Sequence, residues 1–445
     1  PLWTSQQGRS YIGVLESHID GNFKMKFNLL DFAVDSIHCS DITFCTVDGI
    51  RMAFGITDAQ ICGAVGDATN SMKRTLQLLS ESVPNGMAQL CFSHVLQRAL
   101  VTNYESDQEI NQAIIITRTI VNFINSSPRL LETLLNTTTN GVSGRTPTTM
   151  NVTRWDSMFL MIDNVLSQVY VINTALLTYK RERPDVTAVR DLPLFDGQLI
   201  CTLQGLHELL EKIRLVSLPA QGEKTSIAYL IPLCEAVLNV LAAKQCSPTM
   251  QQFANNIRNG FLRRVQKHYQ TDGCYKEEYV VAAFLAPRAH KTLRALDNYE
   301  EYRTIFRNYV MIEAPQVPEI VPSKRIRRPA ATLDDALALV NTVEITATEE
   351  PPQEQETNIV DHIHDFLTRC RGSVDEFEWW ANNCQRYPSI ALLARRFLCI
   401  PLTSAQTERL FSSTGRIIRS DRCRLLPRTA QMMAFMKVNC LKDKY

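Results

Sequence analysis

The apolar positions of the first ninety residues fall into short runs of the kind that make strands. Tyr11–Ile19 (YIGVLESHI) and Phe23–Leu30 (FKMKFNLL) predict two strands, and Asp20-Gly21-Asn22 between them is hairpin chemistry. Ser40 is placed to cap a helix whose apolar positions are Ile42, Cys45, Ile50 and Phe54. Ile61–Val65 (ICGAV) is a brief apolar run suited to a strand buried on both faces, and it ends at Gly66-Asp67. Thr69 or Asn70 then caps a helix carrying Met72, Leu76 and Leu79, and Ala88–Phe92 predicts a further strand leading into His94.

From about residue 95 to 318 the period becomes helical. Leu199, Leu203, Leu206, Leu210 and Ile213 recur at steps of four, three, four and three, one continuous apolar stripe. Ile227–Ala243 is a second long helical stretch, and no repeat of solenoid period is present. Residues 318–358 break the pattern with Pro318, Pro322, a basic run and Glu349-Glu350-Pro351-Pro352-Gln353-Glu354, the composition of a flexible linker or surface loop. Residues 360–445 are helical again, with Phe377, Trp379 and Trp380 close together. The order strand, strand, helix, strand, helix, strand, then helices predicts an α/β plus α architecture, an RNase H-like fold interrupted by an all-helical insertion.

Composition narrows the classes. A chain of 445 residues has room for about three domains or lobes. With 45% hydrophobic and 21% charged residues it is neither a disordered chain nor a coiled-coil rod. Its 47 basic and 46 acidic residues leave a net charge of +1, so any nucleic-acid binding must come from a local patch. No apolar run approaches the roughly 18 residues of a membrane span, and no signal peptide opens the chain, so no membrane partner is expected. Thirteen cysteines, odd in number and without a Cys-x-x-Cys pair, read as reduced thiols of a cytosolic or nuclear protein. The chain opens on Pro1 rather than Met and reads as a fragment.

Five short segments stand in a fixed order. They are Trp3-Thr4-Ser5, then Val65-Gly66-Asp67-Ala68-Thr69-Asn70, then Cys91-Phe92-Ser93-His94, then Thr153-Arg154-Trp155-Asp156-Ser157. The last is the run from Leu393 through Arg395-Arg396-Phe397 and Pro401-Leu402-Thr403-Ser404-Ala405 to Glu408-Arg409-Leu410-Phe411-Ser412. This series resembles the hAT superfamily of DNA transposases and its domesticated relatives with BED-type zinc fingers, over nearly the whole chain and most strongly in the last eighty residues. The resemblance implies residues 1–160 as the N-terminal RNase H-like part, 161–317 as the helical insertion, 318–358 as the linker, and 359–445 as the return to that fold with the dimerisation region.

It also implies a chemistry. In the family, three carboxylates of an RNase H-like core hold two divalent ions, Mg²⁺ or Mn²⁺, for DNA cleavage and strand transfer. Asp67 matches the second carboxylate and Glu408 the third; the plain alternatives are a helix-capping Asp and a surface Glu. The family's first carboxylate lies two residues before the Trp of its Trp-Thr-Ser, where Pro1 stands here. Asp20, in a turn one strand later, is no replacement, and the chain alone is expected to be inactive with its metal binding weakened. Two departures are milder: Gly66 precedes Asp67 where Thr is common, and Asp156 follows the Trp in place of Asn.

Trp155 matches the family tryptophan that stacks on a flipped base, with Arg154 as a phosphate contact; a core Trp beside a structural Arg is the alternative. Cys91 and His94 have zinc-like spacing without a second pair, so His94 reads as a DNA or phosphate contact and Cys91 as packing. Asp361-His362-Ile363-His364-Asp365 is a poor metal site, because residues two apart on a helix point to nearly opposite sides. Lys324-Arg325-Ile326-Arg327-Arg328 is a nuclear localisation signal, a DNA-contacting arm or a solvated charge run. Arg409, Arg416, Arg419, Arg422, Arg424 and Arg428 face one acid, Asp421, and serve either as phosphate contacts or as a rim around a dimer seam. Two readings follow: a piece of a nuclear DNA transposase once preceded by a BED zinc finger, or a domesticated, non-enzymatic descendant that binds DNA and dimerises.

Overall fold

The computed structural model describes residues 2–4, 10–34, 39–83, 86–150, 155–184, 187–313, 359–370, 372, 374–415, 417–418 and 426–440. Strands β1 (Leu2–Thr4), β2 (Ser10–Ile19) and β3 (Met25–Val34) form an antiparallel meander in the order β1-β2-β3. The β2–β3 turn is as the sequence predicts: Asp20 Oδ1 accepts the backbone N–H groups of Asn22 and Lys24, both at 2.9 Å. Phe23 completes the turn at φ 56° and is driven into the interior, stacked on Trp380, with the Arg395 guanidinium 4.0 Å over its ring.

Strands β4 (Gly63–Gly66) and β5 (Met87–Leu90) pair in parallel across the helix Asn70–Ser82. Among the described residues no ladder joins this pair to the meander. The architecture is therefore α/β plus α and predominantly helical, with the meander and the parallel pair as separate small sheets and two further two-stranded ribbons among the described residues.

Several predicted details differ, and the strand predicted over Ile61–Val65 as buried on both faces runs Gly63–Gly66 instead, with its first three residues half-buried. The helix Ser40–Ala53 is capped from Cys39, with Ser40 its first helical residue. Its predicted apolar face is largely solvent-facing, with Ile42 41% and Phe54 50% exposed. The helix docks instead through buried Thr43, and Thr75 Oγ1 on the neighbouring helix donates to Ser40 O at 3.2 Å. The strand predicted over Ala88–Phe92 stops at Leu90, because Phe92 opens the helix Phe92–Ser106 and turns its N–H to Leu402 O at 3.3 Å. Ile227–Ala243 begins as a single 3-10 turn, Ile227–Tyr229, before the helix Leu230–Ala242.

The helical middle is built around Gly197–Ala220, whose predicted stripe is buried along its length. Asp196 starts that helix by accepting the Leu199 N–H at 2.8 Å. The helix Pro248–Tyr269 crosses Phe92–Ser106 at Gly260, where a Cβ would meet the end of the Asn103 side chain, Nδ2, at 2.7 Å. No single helix among the described residues is long and apolar enough to cross a membrane.

The C-terminal helices return to the first strands. Helices Pro388–Leu398, Ala405–Gly415 and Pro427–Asn439 cover the meander, and Tyr11, Leu29 and Phe32 share a core with Leu410, Phe411, Ala430 and Ala434. Asn439 closes this contact by accepting from Leu29 N at 2.9 Å and donating to Leu29 O at 2.8 Å. The segment between the first two of these helices is stitched to both neighbours. Leu402 O accepts from Gln89 Nε2 at 3.0 Å, Leu402 N donates to Thr225 O at 3.0 Å, and Ile227 N donates to Ile400 O at 3.0 Å.

Candidate nucleic-acid processing site

Asp67 is the residue at which β4 ends, and it is 6% exposed. Its Oδ1 accepts from Thr69 N at 2.9 Å and from Thr69 Oγ1 at 2.6 Å. Thr69 in turn caps the next helix through Met72 N at 3.3 Å. Asp67 is thus not the cap; it orients the cap, and the turn fixes its carboxylate at the strand end.

Cys91 N donates to Gly66 O at 2.8 Å, which joins the end of β5 to the end of β4. The next turn of chain is helical, so His94 emerges beside that strand edge. Cys91 is buried, and its Sγ accepts the Ser404 N–H at 3.3 Å. Burial opposes ionisation of the thiol, but His94 and Ser404 outweigh it and lower the Cys91 pKa. Cys91 therefore packs, as predicted, and also polarises the site.

Glu408 lies in the first turn of Ala405–Gly415, placed by the stitched segment before it. His94 Nδ1 stands 3.9 Å from Glu408 Oε1, and each side chain is about one-third exposed (33% and 32%). Burial disfavours the imidazolium, yet the Cys91 thiol and the carboxylates of Glu408 and Asp67 raise His94 to about 9. The imidazolium is the state at neutral pH. The fold thus brings Asp67, Cys91, His94 and Glu408 into one neighbourhood.

Buried polar atoms without a hydrogen-bond partner gather here. Gln89 Oε1, Ser93 Oγ, His94 Nδ1, Ser404 Oγ and Gln406 Nε2 are all of this kind among the described residues. Such atoms are costly unless a ligand or water satisfies them, so their concentration marks a working surface. Asp67 and Glu408 offer hard oxygen donors of the type that bind Mg²⁺ or Mn²⁺ with water and phosphate completing the shell. Among the described residues no group of three ligating side chains closes.

Trp155 opens the helix Trp155–Leu166, and its N–H donates to Gln97 Oε1 at 2.8 Å. Gln97 sits on the His94 helix, so Trp155 is tied to the same element. Its ring is 5% exposed, covered rather than presented. Gln97 is the residue that sequence reasoning missed, its only signal being its place one turn after His94, while Ser404 is named within the C-terminal motif but given no role. Asp156 pairs with Arg214 at 2.6 Å. Arg154, Arg416, Arg419, Arg422 and Arg424 lie outside the described residues, as do Lys324–Arg328 and the linker 318–358. Arg409 is described, and its Nη2 donates to Gln221 O at 2.6 Å.

In the Asp361–Asp365 run, Asp365 is engaged by Arg369 at 2.6 Å and Arg386 at 2.8 Å, and it accepts from Tyr387 Oη at 2.7 Å. The Arg369 hydrogen bond leads the causes that hold its carboxyl down to about 2, and the residue is an intramolecular strut.

Residues 360–440 match the hAT family C-terminal dimerisation region. The chain as a whole carries a second, more distant likeness. It is 20% identical over 356 residues, 78% of its length, to zinc finger BED domain-containing protein 4 of Homo sapiens, and that match spans 29% of the human protein.

Proposed function

We propose that this chain is a transposase-derived nuclear protein that binds DNA as a homodimer or higher homo-oligomer. In this reading Asp67, His94 and Glu408 form the remains of a phosphoryl-transfer centre on an RNase H-like core. One observation carries it: two carboxylates, an imidazolium and four further unsatisfied buried polar atoms gather at one strand edge, drawn from segments remote in sequence. Exposed methionines Met432 and Met436 on the last helix, within the matched dimerisation region, supply apolar surface for assembly.

Asp67 is held by Thr69 so that its carboxylate needs no reorganisation. A divalent ion held by Asp67 and Glu408 would supply Lewis-acid stabilisation of charge on a DNA phosphate. The His94 imidazolium sits where it attracts that phosphate. The test is nicking of duplex DNA in Mg²⁺ or Mn²⁺ by the purified protein extended with an upstream strand that bears the first carboxylate. Glu408→Gln abolishes nicking, keeps the fold and costs at most about 1 kcal/mol of stability; a Glu408→Gln protein that cuts as well as its parent overturns the assignment.

A second reading, a domesticated non-enzymatic DNA-binding protein, rests on the His94–Glu408 pair itself. There the imidazolium already supplies the positive charge that a metal would bring to Glu408. DNA binding and assembly without nicking would support this alternative.

A further inference from the structure

The helix Pro248–Tyr269 carries Arg258, Arg263, Arg264, Lys267 and His268 and not one acidic residue. In a chain of net charge +1 that asymmetry needs a reason. The helix is anchored next to the candidate site: Tyr269 Oη donates to Leu90 O at 3.0 Å, one residue before Cys91, and the Phe261 ring packs edge-on against Phe92. Arg264 is fixed across the helix crossing, donating to Gly260 O at 3.0 Å and to Thr102 Oγ1 at 3.1 Å.

Two other elements bring cations to the same place. Lys73 lies in the first turn of the helix that follows Asp67, and Arg98 lies one helical turn beyond His94 on the same face. Among the described residues none of Lys73, Arg98, Arg263, Arg264 and Lys267 makes an ion pair. The acids of the two shorter helices, Glu81 and Glu105, fall in their last turns. The cations feel one another. Burial and then Lys267, Arg98 and Arg264 lower Lys73, while burial and then Lys73, Lys267, Arg264 and Lys276 bring His268 down to about 4, so His268 is neutral at pH 7. Like charges left together without counter-ions are a standing cost unless a polyanion relieves them.

We infer that Lys73, Arg98, Arg263, Arg264 and Lys267 form a track for the phosphate backbone of duplex DNA, delivering the strand to the edge where Asp67, His94 and Glu408 meet. The inference rests on the DNA-acting reading above and deepens it, by assigning the helical middle of the chain a role in substrate placement. Arg98 and His94, on one helical face, make the track continuous with the site. The contacts are to phosphate, so they position the duplex without reading its sequence.

The experiment is fluorescence anisotropy of a labelled 30-base-pair duplex of arbitrary sequence with the whole chain, over a salt series. The exposed cations are neutralised together, Arg98→Gln, Arg263→Gln and Lys267→Gln, while Arg264 is kept because it bonds within the fold. A second protein carries Lys291→Gln, Arg294→Gln and Arg303→Gln, removing equal charge elsewhere. The expected result is at least about tenfold weaker binding for the first protein alone, with the slope of log affinity on log salt reduced by about 2–3, near 0.9 for each lost phosphate contact. Equal losses in both proteins would mean diffuse attraction and overturn the track. An unchanged affinity and slope in the first protein would also overturn it and leave the DNA-binding reading standing. A parent chain that does not bind the duplex at low salt would remove that reading, and the track with it.

Discussion

His94 on the helix after β5 and Glu408 on a C-terminal helix meet with Nδ1 and Oε1 3.9 Å apart, although most of the helical chain lies between them in sequence. This pairing makes the site a tertiary object. It also sets a charge that can be titrated.

His94 titrates near 9 in the folded protein and near 6.5 when unfolded. Because the folded value is the higher one, the stability that His94 gains from Cys91, and then from Glu408 and Asp67, is complete below about pH 6.5 and is lost as pH rises through about 9. The side chains are partly solvated, so the contribution is modest, up to about 1 kcal/mol. Proton NMR of the histidine Cε1–H resonances follows the titration, and Glu408→Gln moves it to lower pH. A His94 resonance titrating at the same pH in that variant would break the link to Glu408.

In the proposed reading Asp67 and Glu408 would share the binding of a divalent ion. Mn²⁺ titrated into the protein and followed by its free electron-spin signal should bind, and Asp67→Asn or Glu408→Gln should each weaken binding at least about tenfold, roughly 1.4 kcal/mol. Variants that bind Mn²⁺ as the parent does would place the ion elsewhere.

Trp155 is part of the core in this structure, so Trp155→Ala costs about 3–5 kcal/mol on unfolding in urea. Trp155→Phe keeps most of the packing and costs far less. For that reason Trp155→Phe is the variant with which to ask about base stacking. A DNA-processing defect in it without loss of stability speaks for a flipped-base contact, whereas a normal protein speaks for packing alone.

Two C-terminal helices are held to the first sheet, Pro427–Asn439 by a side chain and Ala405–Gly415 by an absent one. Asn439→Ala removes both bonds to Leu29 and costs about 1–2 kcal/mol in chemical denaturation. Gly13→Val drives methyl groups into Thr407, Leu410 and Phe411, where a Cβ already stands 2.9 Å from Thr407 Cγ2, and costs about 1–3 kcal/mol. Neither loss is expected if the helices were only peripheral.

Met432 and Met436 stand one helical turn apart, 59% and 57% exposed. Met432→Glu with Met436→Glu should convert a dimer to monomer in sedimentation equilibrium, with helical content kept. A dimer that persists would assign assembly to another surface.

Local pattern determined much of this protein on its own. The Asp20 turn, the two strands it joins, the Leu199–Ile213 stripe and the placement of Asp67 and Glu408 at a strand end and on a helix all follow from spacing and turn chemistry, forces that act over a few residues. The ordered motifs and their resemblance singled out Asp67, His94, Trp155 and Glu408. Tertiary structure decided the rest. Periodicity cannot tell which apolar face finds a partner, so Ile42 and Phe54 look like core and face solvent, while Thr43 docks. Nor can it say that Trp155 is covered, or that Gly13 waits for Phe411. The meeting of His94 with Glu408, and of an acid-free helix with Lys73 and Arg98, depends on long-range closure. That closure is set by the packing of whole helices, and no local stretch of sequence encodes it.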